Sequence, residues 1–186
     1  MKLNFQEFKR EDTDLLYDFL NSDVWTFHSG GSNQLTKESV EKSISKGYYD
    51  GTDNKTFWII NPEEQIIGYL KIEDLEDLYP MFDLKVSSKY RGQGVGEKAL
   101  RWLTDYIFNN YSEVHRVEGC TRQDNIGMRK VFKKCGYIKE GHTRKAWPPK
   151  DGTNYKEYYD SIRYGILRND WEDGTTTLFN WSDDNF

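Results

Sequence analysis

The sequence predicts a single α/β domain in which strands and helices alternate along the chain. One observation is a set of short apolar runs rich in β-branched and aromatic residues; a second is a set of stretches with apolar residues three or four positions apart. A third is the glycine-rich turn between a predicted strand and a predicted helix, within residues 82–107. With 186 residues, the chain is long enough to bury one substantial core. We place the domain at residues 1–170 and a C-terminal tail at residues 171–186.

The N-terminal part is predicted to form one strand followed by two helices. The strand covers residues 3–8, and the first helix follows a capping cluster at Asp12–Thr13. The predicted apolar face of this helix consists of Leu15, Leu16, Phe19 and Leu20. After a loop that holds the pair Gly30–Gly31, the second helix begins at Thr36.

The middle of the chain is predicted to form a hairpin, a strand and a longer helix. The hairpin strands are residues 56–60 and 66–72, and the sequence between them, Asn61-Pro62-Glu63-Glu64, is typical of a turn. The next strand shows alternating apolar residues up to Val86. The helix carries Val95, Ala99, Leu103 and Ile107 at helical spacing.

The turn between this strand and this helix has the features of a phosphate site. Glycines stand at positions 92, 94 and 96, where they let the backbone approach a ligand closely. A helix N-terminus adds partial positive charge, and Arg91 adds a permanent cation. The spacing excludes both the P-loop and the dinucleotide-binding pattern. The sequence therefore predicts a different phosphate-bearing ligand at this turn.

A second motif lies further along, at residues 124–137. It predicts a helix capped by Asn125, which ends at Gly136. The apolar face of this helix consists of Met128, Val131, Phe132 and Cys135. Residues 114–120 before it are predicted to form a strand that contains Glu118. After it, a long hairpin is closed by a strand at residues 155–167.

The two motifs together resemble those of the GNAT acetyltransferase family. Arg91-x-x-Gly94-x-Gly96 is similar to that family's acetyl-CoA pyrophosphate loop, and Asn125 with its short helix is similar to its second element. The resemblance implies a mixed, mostly antiparallel central sheet of about seven strands flanked by about four helices. Residues 116–119 and 159–171 resemble the ribosomal-protein alanine/serine N-acetyltransferase branch. Members of that branch acetylate protein N-termini, polyamines or antibiotics that carry amines.

The resemblance also implies roles for individual residues. Backbone groups of Leu84, Lys85 and Val86 would hold the pantetheine arm of acetyl-CoA, which is the implied co-substrate. Asn125 would bind the far side of this arm or orient the reacting end, and it can also serve as a plain N-cap. The pyrophosphate would be held by Arg91, Gly92, Gln93, Gly94, Val95 and Gly96.

The resemblance does not identify the catalytic acid and base. Many GNATs carry a tyrosine seven residues after the asparagine, where it protonates the leaving thiolate, but this chain has Phe132 there. A glutamate found early in the central strand of some GNATs is replaced by Pro80 and Met81. The remaining candidates are Asp83, Glu118 and Glu73, with His28 and Tyr79 behind them.

Composition narrows the classes of partner. The net charge is −5, and residues 170–186 hold five carboxylates and no Lys or Arg, so no broad basic face for nucleic acid is expected. No long apolar run or signal segment is present, which predicts a cytoplasmic protein with no membrane partner. Cys120, Cys135 and three scattered histidines lack metal-ligand spacing, so no metal site is predicted.

The sequence therefore predicts an N-acetyltransferase that moves an acetyl group from acetyl-CoA to a primary amine by direct attack in a ternary complex. A peptide N-terminus, a polyamine and an aminoglycoside-like small molecule remain open as acceptors. An acidic stretch, residues 73–77, would attract a cationic amine or would be a solvated loop. The alternative function is a non-catalytic acyl-CoA-binding module or sensor. The tail would be a disordered end with incidental aromatic residues, or these residues would lie on the domain or on a second subunit, which allows a homodimer.

Overall fold

A computed structural model describes residues 1–28, 35–149 and 157–178. In this part of the chain the strands are β1 (Asn4–Glu7), β2 (Lys55–Ile60), β3 (Ile66–Glu73), β4 (Met81–Val86), β5 (Arg116–Arg122), β6 (Ile138–Trp147) and β7 (Tyr159–Leu167). The helices are α1 (Thr13–Asn21), α2 (Lys37–Ser45), α3 (Val95–Asn110), α4 (Ile126–Lys134) and α5 (Arg168–Asp173). The predicted fold class is confirmed.

The strands pair into two antiparallel sheets, ordered β1-β2-β3-β4 and β5-β7-β6. The sheets meet where the Glu118 N–H donates to the Pro80 carbonyl oxygen at 3.0 Å. Among the described residues, no other main-chain hydrogen bond joins β4 to β5. A gap therefore opens between two strands that each lead into a helix.

The larger sheet is covered by apolar side chains on both faces. Phe57, Ile59 and Leu70 point to one face, where they pack with the buried residues of α3. Trp58 and Tyr69 point to the other face, where they pack with α1 and α2. This separation follows from the alternation of side chains along each strand. The phosphate-site turn and the N-terminal helices are thereby fixed to opposite faces of one sheet.

Helix α1 starts where the sequence predicts, but its cap and its apolar face differ. The Asp12 side chain makes no capping hydrogen bond, because its carboxylate accepts from the Lys9 N–H and from Trp58 Nε1, each at 3.0 Å. Leu15 is 47% exposed, whereas Leu16 is fully buried. The apolar face is narrower than predicted because this helix packs against the sheet on one side only.

Helix α5 crosses the boundary that we placed after residue 170. Trp171 packs against Phe108 with ring centroids 5.2 Å apart, and its Nε1 donates to Asp105 at 2.7 Å. The buried Asp170 carboxylate accepts from the N–H and the hydroxyl of Thr177. These contacts hold residues 171–178 on the domain. The predicted aromatic tail residues Phe179, Trp181 and Phe186, the pair Gly30–Gly31 and the hairpin loop at 150–156 lie outside the described residues.

We expect Gly119→Ala to lower the free energy of unfolding by about 1 to 3 kcal/mol. A Cβ at Gly119 would lie 2.7 Å from Phe132 Cζ and 2.8 Å from Phe82 Cε1, and both rings belong to the core. Urea denaturation measures the loss.

Gly127→Ala is the control, because its Cβ would meet no atom closer than 3.7 Å in helix α4. It should change stability by less than about 1 kcal/mol, in the stabilising direction. Equal stability of the two variants would contradict the close packing of β5 against Phe132.

Candidate active site

The phosphate loop, residues 91–96, has the glycine geometry that the sequence predicts. Gly92 and Gly94 have φ angles of +74° and +81°, in the left-handed region that favours glycine. A Cβ at either position would meet nothing within 4 Å. Gly96 has another role, since its Cβ would lie 3.4 Å from Val131 Cγ2, where α3 packs against α4. Open space therefore lies beside the N-terminus of the 16-residue helix α3, as an anion site requires.

Strand β4 offers two residues with main-chain groups that face the gap. The Ser87 N–H donates to Ile67 of β3, so the alternation along the strand turns Leu84 and Val86 away from β3. Lys85 pairs with Tyr69, and its carbonyl oxygen lies against Gly68 of β3. The role of Leu84 and Val86 as edge groups for a pantetheine arm remains a prediction. The main chain of Lys85 pairs with β3 and does not face the gap.

Arg91 lies at the rim of the phosphate loop but points back toward residues 22–28. Its Nε donates to the Val86 carbonyl oxygen at 2.8 Å, and its guanidinium lies 3.6 Å from the Asp23 carboxylate. Asp23 also accepts from the Ser88 N–H. Burial raises the pKa of Asp23, but hydrogen bonds from Ser88 and Val24 outweigh it and hold the pKa below its usual value. Asp23 thus shares the Arg91 cation with any bound phosphate.

A central cavity of about 610 Å³ lies in the gap between β4 and β5, with α1 and α2 on one side and α4 on the other. Its wall contains the predicted site residues His28, Glu73, Asp83, Leu84, Lys85 and Asn125, together with Phe132. It also includes Trp25, Phe27, Tyr48, Tyr49, Tyr69, Cys120, Thr121, Met128 and Trp147.

Asp83 is placed in this cavity but is a weak base. Its Oδ1 lies 3.0 Å from His28 Nε2, and its Oδ2 accepts from Lys85 and from the Tyr69 hydroxyl. Burial raises the pKa of Asp83, yet Lys85 and then His28 outweigh it and hold the pKa far below its usual value. Burial and the Asp83 charge raise the pKa of Tyr69 well above its ordinary value, so its hydroxyl stays protonated. A carboxylate so stabilised takes up protons poorly, which is unfavourable for a direct base, and a catalytic role for Asp83 remains a prediction.

Glu118 and Tyr79 do not line the central cavity. The Glu118 carboxylate contacts Arg116 at 2.9 Å and Arg163 at 3.2 Å. Tyr79 packs against His115. Neither residue belongs to the cavity wall, and the assignment of Glu118 as a catalytic carboxylate remains a prediction.

Asn125 combines the two predicted roles in one place. Its Oδ1 accepts from the Met128 N–H at 3.1 Å and so caps α4. Its Nδ2 donates to Thr121 Oγ1 at 3.0 Å, which ties the cap to β5 beside the cavity. The capping part is confirmed, and contact with acetyl-CoA remains a prediction. Phe132 is buried and stacks on Tyr164 with ring centroids 4.4 Å apart.

The acidic stretch at residues 73–77 contributes only Glu73 to the cavity. Glu73 contacts the buried Lys71 at 2.5 Å, and Lys71 Nζ lies 3.1 Å above the Tyr48 ring. The N–H groups of Leu75 and Glu76 bind Asp53 away from the cavity. A ring of free carboxylates at the mouth of the cavity is therefore absent from the described residues.

Sequence reasoning missed Lys71, and it assigned Lys85 a role for its main chain and not for its ammonium group. Lys71 and Lys85 lie on the same face of the sheet as Tyr69, Glu73 and Asp83. The signal was present in the sequence as polar residues at alternate positions within two otherwise apolar strands. Trp25 and Trp147 were also missed as wall residues, and no local pattern marks them.

Comparison with known proteins agrees with this geometry. A model of the acetyltransferase (GNAT) domain matches residues 2–138. The chain belongs to the GNAT acetyltransferase family. It is therefore an acetyltransferase, and its co-substrate is acetyl-CoA. The open glycine loop, and the edge of β4 that pairs with no other described strand, fit that molecule.

Individual relatives are distant in sequence. The uncharacterized N-acetyltransferase YnaD of Bacillus subtilis is 24% identical over 173 residues, which cover 91% of this chain and 96% of YnaD. YdaF of the same organism, named for a ribosomal N-acetyltransferase activity, is 24% identical over 110 residues, 58% of this chain and 56% of YdaF. Spermidine N-acetyltransferase from Vibrio cholerae, solved with CoA and spermine, has a TM-score of 0.77 at 16% identity, covering 91% of this chain and 98% of that one.

The part of the chain that the structure describes contains neither a membrane-spanning helix nor a metal-binding group of side chains. No helix there is long and apolar enough to cross a membrane. No group of three or more His, Cys, Asp or Glu side chains there is arranged to hold a metal ion.

Proposed function

We propose that this acetyltransferase moves the acetyl group of acetyl-CoA to a primary amine that binds in the central cavity. The position of the cavity supports this proposal. The cavity lies against the edge of β4 that pairs with no other described strand, and its wall includes Asn125. An amine there and a thioester along β4 would meet in one enclosed space, so orientation alone would favour attack. Direct attack in a ternary complex is the reaction that such an arrangement suits.

Direct attack is also favoured by the state of the cysteine in the wall. Burial raises the pKa of the Cys120 thiol, so the residue stays protonated and is a poor nucleophile for a covalent acetyl-enzyme. The leaving group is a thiolate with an ordinary pKa of about 8 to 9, which can depart without a strong acid. The lack of a hydroxyl at Phe132 therefore does not prevent turnover.

The charges of the cavity favour an acceptor with one amine on a largely apolar body. Asp83 is paired with Lys85, and Glu73 is paired with Lys71, so the four charges cancel. The additional ammonium groups of a polyamine would meet carboxylates that lysines already hold, and each would be costly to desolvate. Phe, Tyr and Trp rings form a large part of the remaining wall. An arylalkyl monoamine or a peptide N-terminus with a small first residue has the matching chemistry.

The acceptor is tested by thiol release from acetyl-CoA with phenylethylamine, a short peptide with a free N-terminal serine, spermidine and an aminoglycoside. We expect kcat/KM for phenylethylamine or the peptide to exceed that for spermidine by about tenfold or more, since each unsatisfied ammonium weakens binding. A preference for spermidine would contradict the charge argument. Binding of acetyl-CoA without release by any amine would favour the non-catalytic acyl-CoA-binding module instead.

The quaternary structure is part of the same proposal. One structural neighbour, the spermidine N-acetyltransferase of Vibrio cholerae, is dodecameric. For this chain a homodimer remains a prediction.

A further inference from the structure

The imidazole of His28 is held against β4 through one of its two nitrogens. Nε2 lies 3.0 Å from Asp83 Oδ1 and 3.3 Å from the Leu84 carbonyl oxygen. A carboxylate and a carbonyl oxygen only accept hydrogen bonds, so Nε2 must carry the proton that they share. The other nitrogen, Nδ1, is buried and has no hydrogen-bond partner among the described residues.

These contacts determine the tautomer of the ring. When the imidazole carries a single proton, that proton lies on Nε2 and the lone pair lies on Nδ1. His28 forms part of the cavity wall, and 28% of its side chain is accessible. A hydrogen-bond donor that reaches Nδ1 from the cavity would satisfy a lone pair that the described residues leave without a partner.

The geometry points to His28 as the general base of acetyl transfer, with Asp83 as the residue that positions it. This inference rests on the proposed amine acceptor. Asp83 holds the proton on Nε2 and faces the ring with a negative charge, which stabilises the imidazolium formed during the reaction. His28 is thus the catalytic residue, and Asp83, which is too weak a base itself, acts through it.

The proposed reaction transfers one proton to His28 and the acetyl group to the amine. The acceptor arrives as an ammonium and gives one proton to His28 Nδ1, which makes the imidazole an imidazolium. The nitrogen lone pair then forms a C–N bond with the carbonyl carbon of the thioester. The C–S bond breaks, and its electrons leave on the thiolate of CoA. The thiolate takes the second proton from the attacking nitrogen, and the imidazolium returns the first proton to water.

Several charged or titratable groups share the cavity with His28. Lys85 reaches it through Asp83 on β4, and Tyr69 and Glu73 face the cavity from β3. Cys120 faces it from β5, and Tyr48 and Tyr49 face it from the segment after α2. Asp83 is the one of these that the ring contacts directly among the described residues. Asp83 therefore sets the orientation of the ring and shares its negative charge between Lys85 and the imidazolium.

The kinetic test uses His28→Gln with acetyl-CoA and phenylethylamine. Glutamine can keep the hydrogen bond to Asp83 but cannot take up a proton. We expect kcat to fall about a hundredfold to ten-thousandfold near neutral pH, with the affinity for acetyl-CoA unchanged. The deficit should shrink to less than about tenfold at alkaline pH, where the amine arrives already neutral. A variant with wild-type kcat near neutral pH, or a deficit independent of pH, would overturn the inference.

The chain offers a matched control in its second His–Asp pair. His142 Nε2 contacts Asp160 at 2.8 Å, on strands β6 and β7 and outside the cavity wall. His142→Gln should keep wild-type kcat and the wild-type pH profile.

Asp83→Asn tests the positioning role, because an amide can donate to Nε2 and move the ring proton to Nδ1. We expect it to lower kcat as well, and an unchanged kcat would remove Asp83 from the mechanism.

A second measurement observes the tautomer of His28 and needs no turnover. It therefore distinguishes a wrong acceptor from a wrong general base. Nitrogen NMR of the free protein should show His28 as the neutral Nε2–H tautomer, with Nδ1 unprotonated. In Asp83→Asn the signal should move toward the Nδ1–H tautomer. A wild-type ring with its proton on Nδ1, or with both nitrogens protonated at neutral pH, would overturn the inference even if amines are acetylated.

Discussion

Gly94→Val should lower the affinity for acetyl-CoA by at least about a hundredfold. The φ angle of Gly94 is +81°, and the space in which its Cβ would stand is the open space beside the first N–H groups of α3. A valine there keeps a phosphate away from those donors. Each hydrogen bond to a charged group contributes about 1.5 to 3 kcal/mol, so the loss of two accounts for the effect. Isothermal titration with acetyl-CoA measures it.

The control for this variant is Gly174→Val. Gly174 has a φ angle of +64°, it also meets nothing within 4 Å, and it lies at the end of α5 away from the phosphate loop. Both variants force a β-branched residue into the left-handed region, at a cost of about 1 to 2 kcal/mol each in stability. Only Gly94→Val should lose acetyl-CoA. Normal binding by Gly94→Val would show that the loop does not hold the pyrophosphate.

Glu73→Gln should lower the free energy of unfolding by about 2 to 3 kcal/mol. The side chain of Lys71 has no accessible surface, and Glu73 is the carboxylate in contact with it at 2.5 Å. Removing that charge leaves an ammonium buried against the Tyr48 ring without a counter-charge. The expected loss is below that of a fully buried pair because Glu73 is 28% exposed. Chemical denaturation at neutral pH measures it.

Two further variants identify burial as the cause. Adding Lys71→Met to Glu73→Gln removes the unpaired ammonium group and should recover most of the lost free energy of unfolding. Asp14→Asn breaks the pair of Lys37 and Asp14, which has the same 2.5 Å separation but side-chain exposures of 52% and 74%. It should cost less than about 1 kcal/mol. A loss for Asp14→Asn as large as that for Glu73→Gln would show that burial is not the reason.

The strands, the helices and the phosphate loop could be read from the sequence because their signals are local. The alternating apolar residues before Val86 and the glycines at 92 and 94 specify a strand and a left-handed turn within a few residues of each other. The cap of α4 is equally local, since Asn125 binds the N–H of Met128 three residues later. Where a local signal had a competing partner, as at Asp12 with Trp58, the prediction of a cap was wrong.

By itself, then, the sequence determined the α/β class, the order of elements, the glycine positions of the phosphate loop and the family resemblance. The tertiary structure alone decided which charged groups meet. The register of β3 against β4 brings Lys71, Glu73, Asp83 and Lys85 onto one face, and the path of residues 22–28 brings His28 to Asp83 and Asp23 to Arg91. Glu118 and Asp83 look alike in the sequence, yet one is neutralised by arginines outside the cavity while the other holds an imidazole within it. These contacts join residues far apart in the chain, so they depend on how the sheets and helices pack and leave no local pattern in the sequence.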